Sequence, residues 1–218
     1  METRPSKAVS SGDDGTRIVG RTSSLFTRVV RIFAEELAVP YELQVVPSLL
    51  STETQAYGGN PGLRLPTLLI RGEPPAFGCI NSCRALRERS ARHLAVLWPE
   101  ALTQPLARNA QELTLQSMST EVSWIMIQTA GGEASPYAGK LRAALDGTLA
   151  WLDERVDDVM AELPPRDLSF FEVSLFCLVD HLPFRDVLSV EAYANLRRFR
   201  DRFAARASAA ATPFRFDA

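Results

Sequence analysis

The sequence predicts an α/β half followed by an all-helical half. Up to residue 97, short apolar runs alternate with segments of helical period in the order βαβαββα. From "WPEALTQP" onward the strand-like runs stop, two prolines mark a linker, and long stripes at helical spacing follow. We therefore predict the following organisation: a disordered tail over 1–15, an α/β domain over 16–97, a linker over 98–105 and an all-helical domain over 106–218.

The first strand and helix are predicted over Arg17–Gly20 and from Ser24 to about Ala38. The helical segment carries apolar side chains at i, i+3, i+4 and i+7, and Pro40 ends it. Between the two elements lies "RTSS", a loop of small hydroxyl residues. Such a loop either caps the helix or holds an anion or a thiolate.

The rest of the α/β half continues the alternation. "YELQVV" is β-rich, and "STETQAYGGNPG" is typical of one irregular helix and a loop. "PTLLI" and "AFG" are predicted strands on either side of the charged turn "RGEPP". "CINSCRALRERSARHLAVL", which is residues 79–97, is predicted to form a helix.

Three stretches of the second half carry helical patterns. One long apolar stripe runs from Leu141 to Val159, and "FFEVSLFCLVDHL" is apolar nearly all round, as expected of a central buried helix. Ser169 and Glu172 form a capping box at its start. The basic segment "RRFRDRFAARA" carries a regular apolar stripe, which favours a core helix with a solvated cationic face over a nucleic-acid helix.

Composition excludes several classes of function. The net charge of −2 and the pI near 5.8 give no basic face for nucleic acid. No apolar run approaches the roughly 20 residues that span a bilayer. The start of the chain lacks the apolar stretch of a secretory signal. Three cysteines, an odd and sparse number, indicate a reducing cytoplasm rather than a disulfide framework.

Metal and hydrolase sites are also disfavoured. Cys79 and Cys83 are four apart, but the nearest histidine in sequence, His93, lies ten residues further on, which is a poor zinc spacing. A Ser-His-Asp arrangement built on His181 would need a nucleophile, and no G-x-S-x-G elbow is present. We therefore expect no metal.

The motifs together resemble the glutathione transferase superfamily. "GRTSSLFTRVVRI", "NPGLRLPTLLI", "INS" and a later Ser-x-x-Glu box occur in the family's order and spacing, from about Arg17 to the end. The chain looks most like the serine-type bacterial enzymes near the zeta and tau classes. The resemblance implies a thioredoxin-like domain joined to a helical bundle, a homodimer, and glutathione as co-substrate.

The resemblance also implies a set of glutathione-binding residues. Leu65 precedes a cis Pro66 and turns its main-chain polar groups toward the glutathione cysteine, although the residue pattern alone favours a trans proline that opens a strand. Arg64 meets the glycine carboxylate or is simply solvated. Asn81 and Ser82 hold a ligand carboxylate at a helix start, or merely cap that helix. The set implied for glutathione is completed by one aromatic residue: Phe26.

In this resemblance the activating hydroxyl belongs to Ser24, with Ser23 as its fallback. The hydroxyl donates a hydrogen bond to the glutathione sulfur and so favours the thiolate. The alternative is plain capping, because both roles use the same geometry. No cysteine lies in this loop, which argues against the cysteine-type relatives. The electrophile pocket is expected on the helix after the linker, unless its candidate residues are core: Met118, Val122 and Trp124.

The leading function is therefore a glutathione-dependent transferase acting on a hydrophobic electrophile. An isomerase that adds and then eliminates glutathione stays open, as does a biosynthetic enzyme that adds sulfur to a reactive intermediate. A non-catalytic binding or assembly protein is the alternative from another class. Two departures motivate it, since Asn81 replaces the family's usual acidic residue and Leu25 replaces a frequent proline.

Overall fold

The N-terminal half is built on a four-stranded mixed sheet. The computed structural model describes residues 15–131 and 135–217, so the tail predicted over 1–15 lies outside the described residues apart from Gly15. The strand order is β2-β1-β3-β4, with β1 parallel to β2 and antiparallel to β3, and β4 antiparallel to β3. The strands have the following bounds: β1 Thr16–Gly20, β2 Glu42–Val45, β3 Thr67–Ile70 and β4 Ala76–Phe77.

Two helices accompany this sheet, α1 over Leu25–Glu36 and α2 over Cys79–Arg89. A 3₁₀ helix at Thr54–Tyr57 occupies the place predicted for the irregular helix. The order βαβαββα is thus confirmed. The apolar face of α1 is buried, because α1 packs against α2 on one side and against the helical half on the other.

The helix predicted over residues 79–97 is wrong in its second half. It ends at Arg89, and the Ser90 hydroxyl donates a hydrogen bond to the Leu37 carbonyl at 2.7 Å. A short strand follows, β5 (Val96–Leu97), and it pairs in parallel with β6 (Leu168–Ser169). The expectation that strands stop after the first half was therefore also wrong.

The second half contains five helices among the described residues. The predicted stripe along α4 is buried, and α5 is buried nearly all round at the centre, in contact with α1, α3 and α6. None of the described helices has both the length and the apolar character needed to cross a membrane. The helices have these bounds: α3 Pro105–Thr129, α4 Pro136–Glu162, α5 Phe170–Phe184, α6 Ala194–Ala204 and α7 Ala207–Ala211.

The capping box at α5 forms in part. The Ser169 hydroxyl accepts a hydrogen bond from the Glu172 N–H at 3.4 Å, as the pattern predicts. The Glu172 carboxylate does not return to the cap, because Arg166 donates to it at 2.6 Å. The reciprocal half of the motif is thus replaced by an ion pair.

A buried arginine joins the two halves. Arg28 of α1 is 3% exposed, and its guanidinium donates to the carboxylate of Asp180 on α5 at 2.5 Å. The same guanidinium lies over the Phe176 and Phe214 rings, at 4.7 and 4.2 Å from their centroids. Arg28 therefore ties α1 to α5 and to the segment after α7.

Candidate functional site

Three features of the N-terminal half meet at one end of the sheet. Val19 of β1 pairs with Thr67 of β3, and Thr67 pairs with Phe77 of β4. The turn that follows β1, the residues that precede β3 and the start of α2 are therefore neighbours. A hydrogen bond of 3.0 Å from the Gly78 N–H to the Pro66 carbonyl joins the last two.

The first feature is the hydroxyl turn, defined as Arg21–Ser24. It is closed by a hydrogen bond from the Ser24 N–H to the Arg21 carbonyl at 3.1 Å. Ser24 is the N-cap of α1, and its hydroxyl oxygen accepts from the Thr27 N–H at 3.2 Å. Capping uses a lone pair, and no acceptor for the hydroxyl proton occurs among the described residues. The same hydroxyl can therefore cap the helix and donate to a ligand.

Gly20 lets α1 approach the end of β1 closely. A Cβ atom at this position would lie 2.4 Å from Cγ2 and 2.5 Å from Oγ1 of Thr27. Only a residue without a Cβ fits that contact. The first turn of α1 is thus seated directly against the strand that precedes the hydroxyl turn.

The segment after α7 also holds the hydroxyl turn. The Asp217 carboxylate accepts from the Thr22 N–H at 3.1 Å, from the Thr22 hydroxyl at 2.6 Å and from Arg21 Nε at 3.3 Å. Burial acts to raise the pKa of Asp217, but the hydrogen bonds from Thr22 and Arg21 outweigh it and the pKa lies below its ordinary value. The contact between Thr22 and Asp217 was not predicted from the sequence, because the two residues are 195 positions apart.

His181 of α5 holds the same turn from below. Its Nε2 lies 2.9 Å from the carbonyl oxygen of Ser23, and Ser23 itself is buried. The turn thus has Thr22 and Ser23 each fixed by a side chain from beyond the sheet. Ser24 is left half-buried at the rim.

The second feature is the Leu65–Pro66 step. This peptide bond is cis, as the resemblance implied. Among the described residues, neither main-chain polar group of Leu65 has a hydrogen-bond partner. Arg64 is exposed, and its carbonyl accepts from the Asn60 side chain at 2.9 Å, which braces the loop before the step. The open Leu65 groups can pair with an extended peptide in the manner of an added strand.

The third feature is the start of α2, where the first N–H groups have no helical acceptor. Gly78 is the N-cap, so Cys79 is the first helical residue and Ser82 the fourth. Ser82 is fully buried, with its N–H and its hydroxyl both directed to the Gly78 carbonyl, at 3.1 and 2.8 Å. Asn81 is exposed and donates to the Phe77 carbonyl at 3.1 Å. Asn81 therefore reaches the surface of this helix start, and Ser82 does not.

The remaining predicted site residues lie at different depths. Phe26 is half-buried at the start of α1 and packs against the main core. Met118 has no exposed surface, so it is a core residue here rather than a pocket wall. Val122 and Trp124 are half-buried on α3, and the Trp124 indole N–H has no partner among the described residues. Both side chains pack against the main core, so their place in a pocket stays a prediction.

The cysteines are not poised for reaction. All three are free, Cys83 and Cys177 are buried, and Cys79 is half-buried. Burial raises the pKa of the Cys79 thiol to about 12, although its own N–H and that of Ile80 act to lower it. The described residues include no group of three or more histidine, cysteine or acidic side chains arranged to hold a metal ion.

The chain is similar in fold to solved structures, but no protein-family model and no curated protein sequence matches it. A glutathione S-transferase from Methylobacterium radiotolerans, solved in complex with glutathione sulfonate, has a TM-score of 0.71 and 21% identity over 93% of this chain and 97% of that one. The chain has the fold of the glutathione transferase superfamily. The predicted thioredoxin-like half followed by a helical half is thereby confirmed.

Other solved structures share the glutathione transferase fold. One from Methylobacillus flagellatus with GSH bound has a TM-score of 0.72 and 18% identity, covering 91% of this chain and 98% of its own. A maleylacetoacetate isomerase from Methylobacterium extorquens with bound malonate and GSH has a TM-score of 0.68 and 17% identity, covering 90% and 95%.

Proposed function

We propose that the protein binds glutathione and holds its thiol as a thiolate for attack on a hydrophobic electrophile. The proposal rests on the main-chain N–H and carbonyl of Leu65, which have no hydrogen-bond partner among the described residues. Beside them lies the Ser24 hydroxyl, whose proton has no acceptor among those residues. Structures of the same fold that hold glutathione or its sulfonate support it.

The ligand would lie along the three features of the site. The Leu65 N–H and carbonyl pair with the cysteine residue of glutathione. The start of α2, with the exposed Asn81, faces the γ-glutamyl carboxylate, since helix N-termini favour anions. The exposed Arg64 meets the glycine carboxylate. Val122 and Trp124 line the electrophile pocket.

Ser24 would supply the activation. Its hydroxyl donates to the glutathione sulfur, and because that bond is stronger to the charged form, it lowers the thiol pKa. The thiolate sulfur then forms a bond to the electrophilic carbon with its own electron pair, while the leaving group departs with the pair of the broken bond. Ser24 is not the nucleophile and keeps its proton.

The test compares Ser24→Ala with Ser135→Ala. Ser135 caps α4 in the same way, by accepting from the Ala138 N–H at 3.1 Å, so both variants lose a helix cap of about 1 kcal/mol. Glutathione binding is measured by calorimetry and the bound thiol pKa by thiolate absorbance. We expect the pKa of the bound thiol to rise by about 1 unit in Ser24→Ala and to stay unchanged in Ser135→Ala. Tight binding with an unchanged thiol pKa would remove Ser24 from the mechanism.

An isomerase is the second candidate, favoured by the similarity to the maleylacetoacetate isomerase. There the thiolate adds to a conjugated double bond, rotation follows, and elimination regenerates glutathione. Product analysis separates the two reactions, because a stable conjugate contradicts isomerisation. Failure to bind any thiol at millimolar concentration would instead favour a non-catalytic binding or assembly protein.

We further propose a cytoplasmic homodimer, in which a linker over 98–105 connects the two domains of each chain. Light scattering on the purified protein tests the dimer directly, and a monomer would refute it.

A further inference from the structure

A buried acid–histidine pair lies directly beneath the hydroxyl turn. Glu121 of α3 is fully buried, and its Oε1 lies 2.7 Å from Nδ1 of His181. The other ring nitrogen, Nε2, reaches the Ser23 carbonyl. The proposed function uses neither side chain. Burying a carboxyl group is costly without a specific partner, and His181 supplies that partner.

The hydrogen-bond partners determine where the protons lie. A carbonyl oxygen only accepts, so Nε2 of His181 must carry a hydrogen. One further proton lies between Nδ1 and Glu121, either on the acid as a neutral pair or on the ring as an ion pair. Burial raises the pKa of Glu121, although the hydrogen bond from His181 and the charge of Arg185 oppose it. In both forms Nε2 donates to the turn.

Packing fixes the plane of the imidazole. The Phe214 ring meets it edge-on at 4.7 Å between centroids, and the Phe184 ring lies at 5.8 Å. The donor direction of Nε2 is therefore set by two aromatic contacts and by Glu121 together. Since Ser24 follows Ser23 directly, the position of that carbonyl sets the backbone from which the Ser24 hydroxyl projects, together with the cap bond to Thr27.

We propose that Glu121 and His181 are positioning residues, which orient the hydroxyl turn so that Ser24 donates to the thiol of glutathione. This inference rests on the proposed function and extends it to a pair of residues in the helical half. Glu121 selects the Nε2-protonated form of His181, and His181 holds the Ser23 carbonyl.

The first experiment determines which ring nitrogen of His181 carries the proton. The chain has only two histidines, and His93→Asn assigns the exposed one in long-range proton–nitrogen spectra. We expect Nε2 of His181 to be protonated in the unmodified protein and in Glu121→Gln, because a glutamine amide can donate to Nδ1 as the acid does. In Glu121→Leu we expect a mixture of tautomers. A neutral imidazole protonated at Nδ1 in the unmodified protein overturns the proposal.

The second experiment reads the bound thiol. We expect His181→Phe and Glu121→Leu to raise the pKa of bound glutathione by about 1 unit, and Glu121→Gln to restore it. Thr114→Val is the control, because it removes a buried hydrogen bond inside α3, at 2.7 Å to the Ala110 carbonyl, without touching the turn. An unchanged thiol pKa in His181→Phe overturns the positioning role. If the unmodified protein binds no glutathione, the proposed function fails, and the tautomer spectra still decide whether Glu121 orients His181.

Discussion

Asp217 accepts hydrogen bonds from both the main-chain N–H and the hydroxyl of Thr22, at 3.1 and 2.6 Å. The contact connects the segment after α7 to the turn that follows β1. Charge-assisted bonds of this kind are stronger than neutral ones. The C-terminal end of the described chain therefore lies at the candidate site.

Asp217→Asn is expected to destabilise the protein in a pH-dependent way. Because the folded-state pKa of Asp217 is lowered, its contribution is present above the ordinary carboxyl pKa and is lost as the pH falls through the lowered value. We expect a loss of about 1–2 kcal/mol near neutrality, measured by urea unfolding, that shrinks toward zero in acid. Asp201→Asn, at an exposed pair with Arg200, is the control. An equal loss in the free energy of unfolding near neutrality and in acid would contradict the prediction.

Asp180→Asn is expected to cost more than the matched change at an exposed pair. It leaves the buried guanidinium of Arg28 without its carboxylate. Fully buried pairs cost about 3–5 kcal/mol when one partner is removed, and since Asp180 is one-third exposed we expect about 2 kcal/mol. Asp157→Asn, whose partners Arg198 and Arg202 are solvated, should cost less than about 1 kcal/mol. Comparable losses in the two variants would show that Arg28 does not depend on Asp180.

The three thiols are expected to resist alkylation in the folded protein. Burial raises the pKa of Cys79 to about 12 and those of Cys83 and Cys177 well above the ordinary value. Only the thiolate reacts, so at pH 8 the native protein should be modified slowly. After unfolding in guanidinium, all three cysteines should react at once. Rapid modification of one native thiol would locate a reactive cysteine that the structure does not indicate.

Gly20→Ala is expected to displace the first turn of α1. The added methyl would lie 2.4 Å from Cγ2 of Thr27, and relieving such an overlap costs about 1–3 kcal/mol. Thr27→Ser removes that methyl group and should recover part of the loss in the double variant. Gly139→Ala in α4 meets nothing within 4 Å and should stabilise the helix by about 0.5–1 kcal/mol. A neutral Gly20→Ala would mean that the contact relaxes freely.

Local patterns predicted the fold well, and tertiary contacts account for what they missed. The stripe from Leu141 to Val159 and the apolar α5 are buried, as predicted. This was predictable because the helical period alone determines which side chains share one face of a helix. The end of α2 at Arg89 depends on Leu37, which lies far away in sequence. No pattern in the second half announces a two-residue strand.

The candidate site divides in the same way. The hydroxyl turn and the Leu65–Pro66 step are recognisable as short motifs. Glu121 lies 60 positions from His181, and His181 lies 158 positions from Ser23. No local spacing links such residues, so only the packed helices reveal that they converge.

The contacts of Asp217 with Thr22 and of His181 with Ser23 have a consequence for folding during synthesis. Every residue of the sheet leaves the ribosome before the side chains of His181 and Asp217 exist, and domains generally fold from the N-terminal side as they emerge. A nascent N-terminal half can pair its strands and close the turn locally, and we expect the contacts of His181 and Asp217 with that turn to form only after the last helices dock. Completion of the candidate site is thus expected to require residues up to Asp217, and the N-terminal half alone would lack these two contacts.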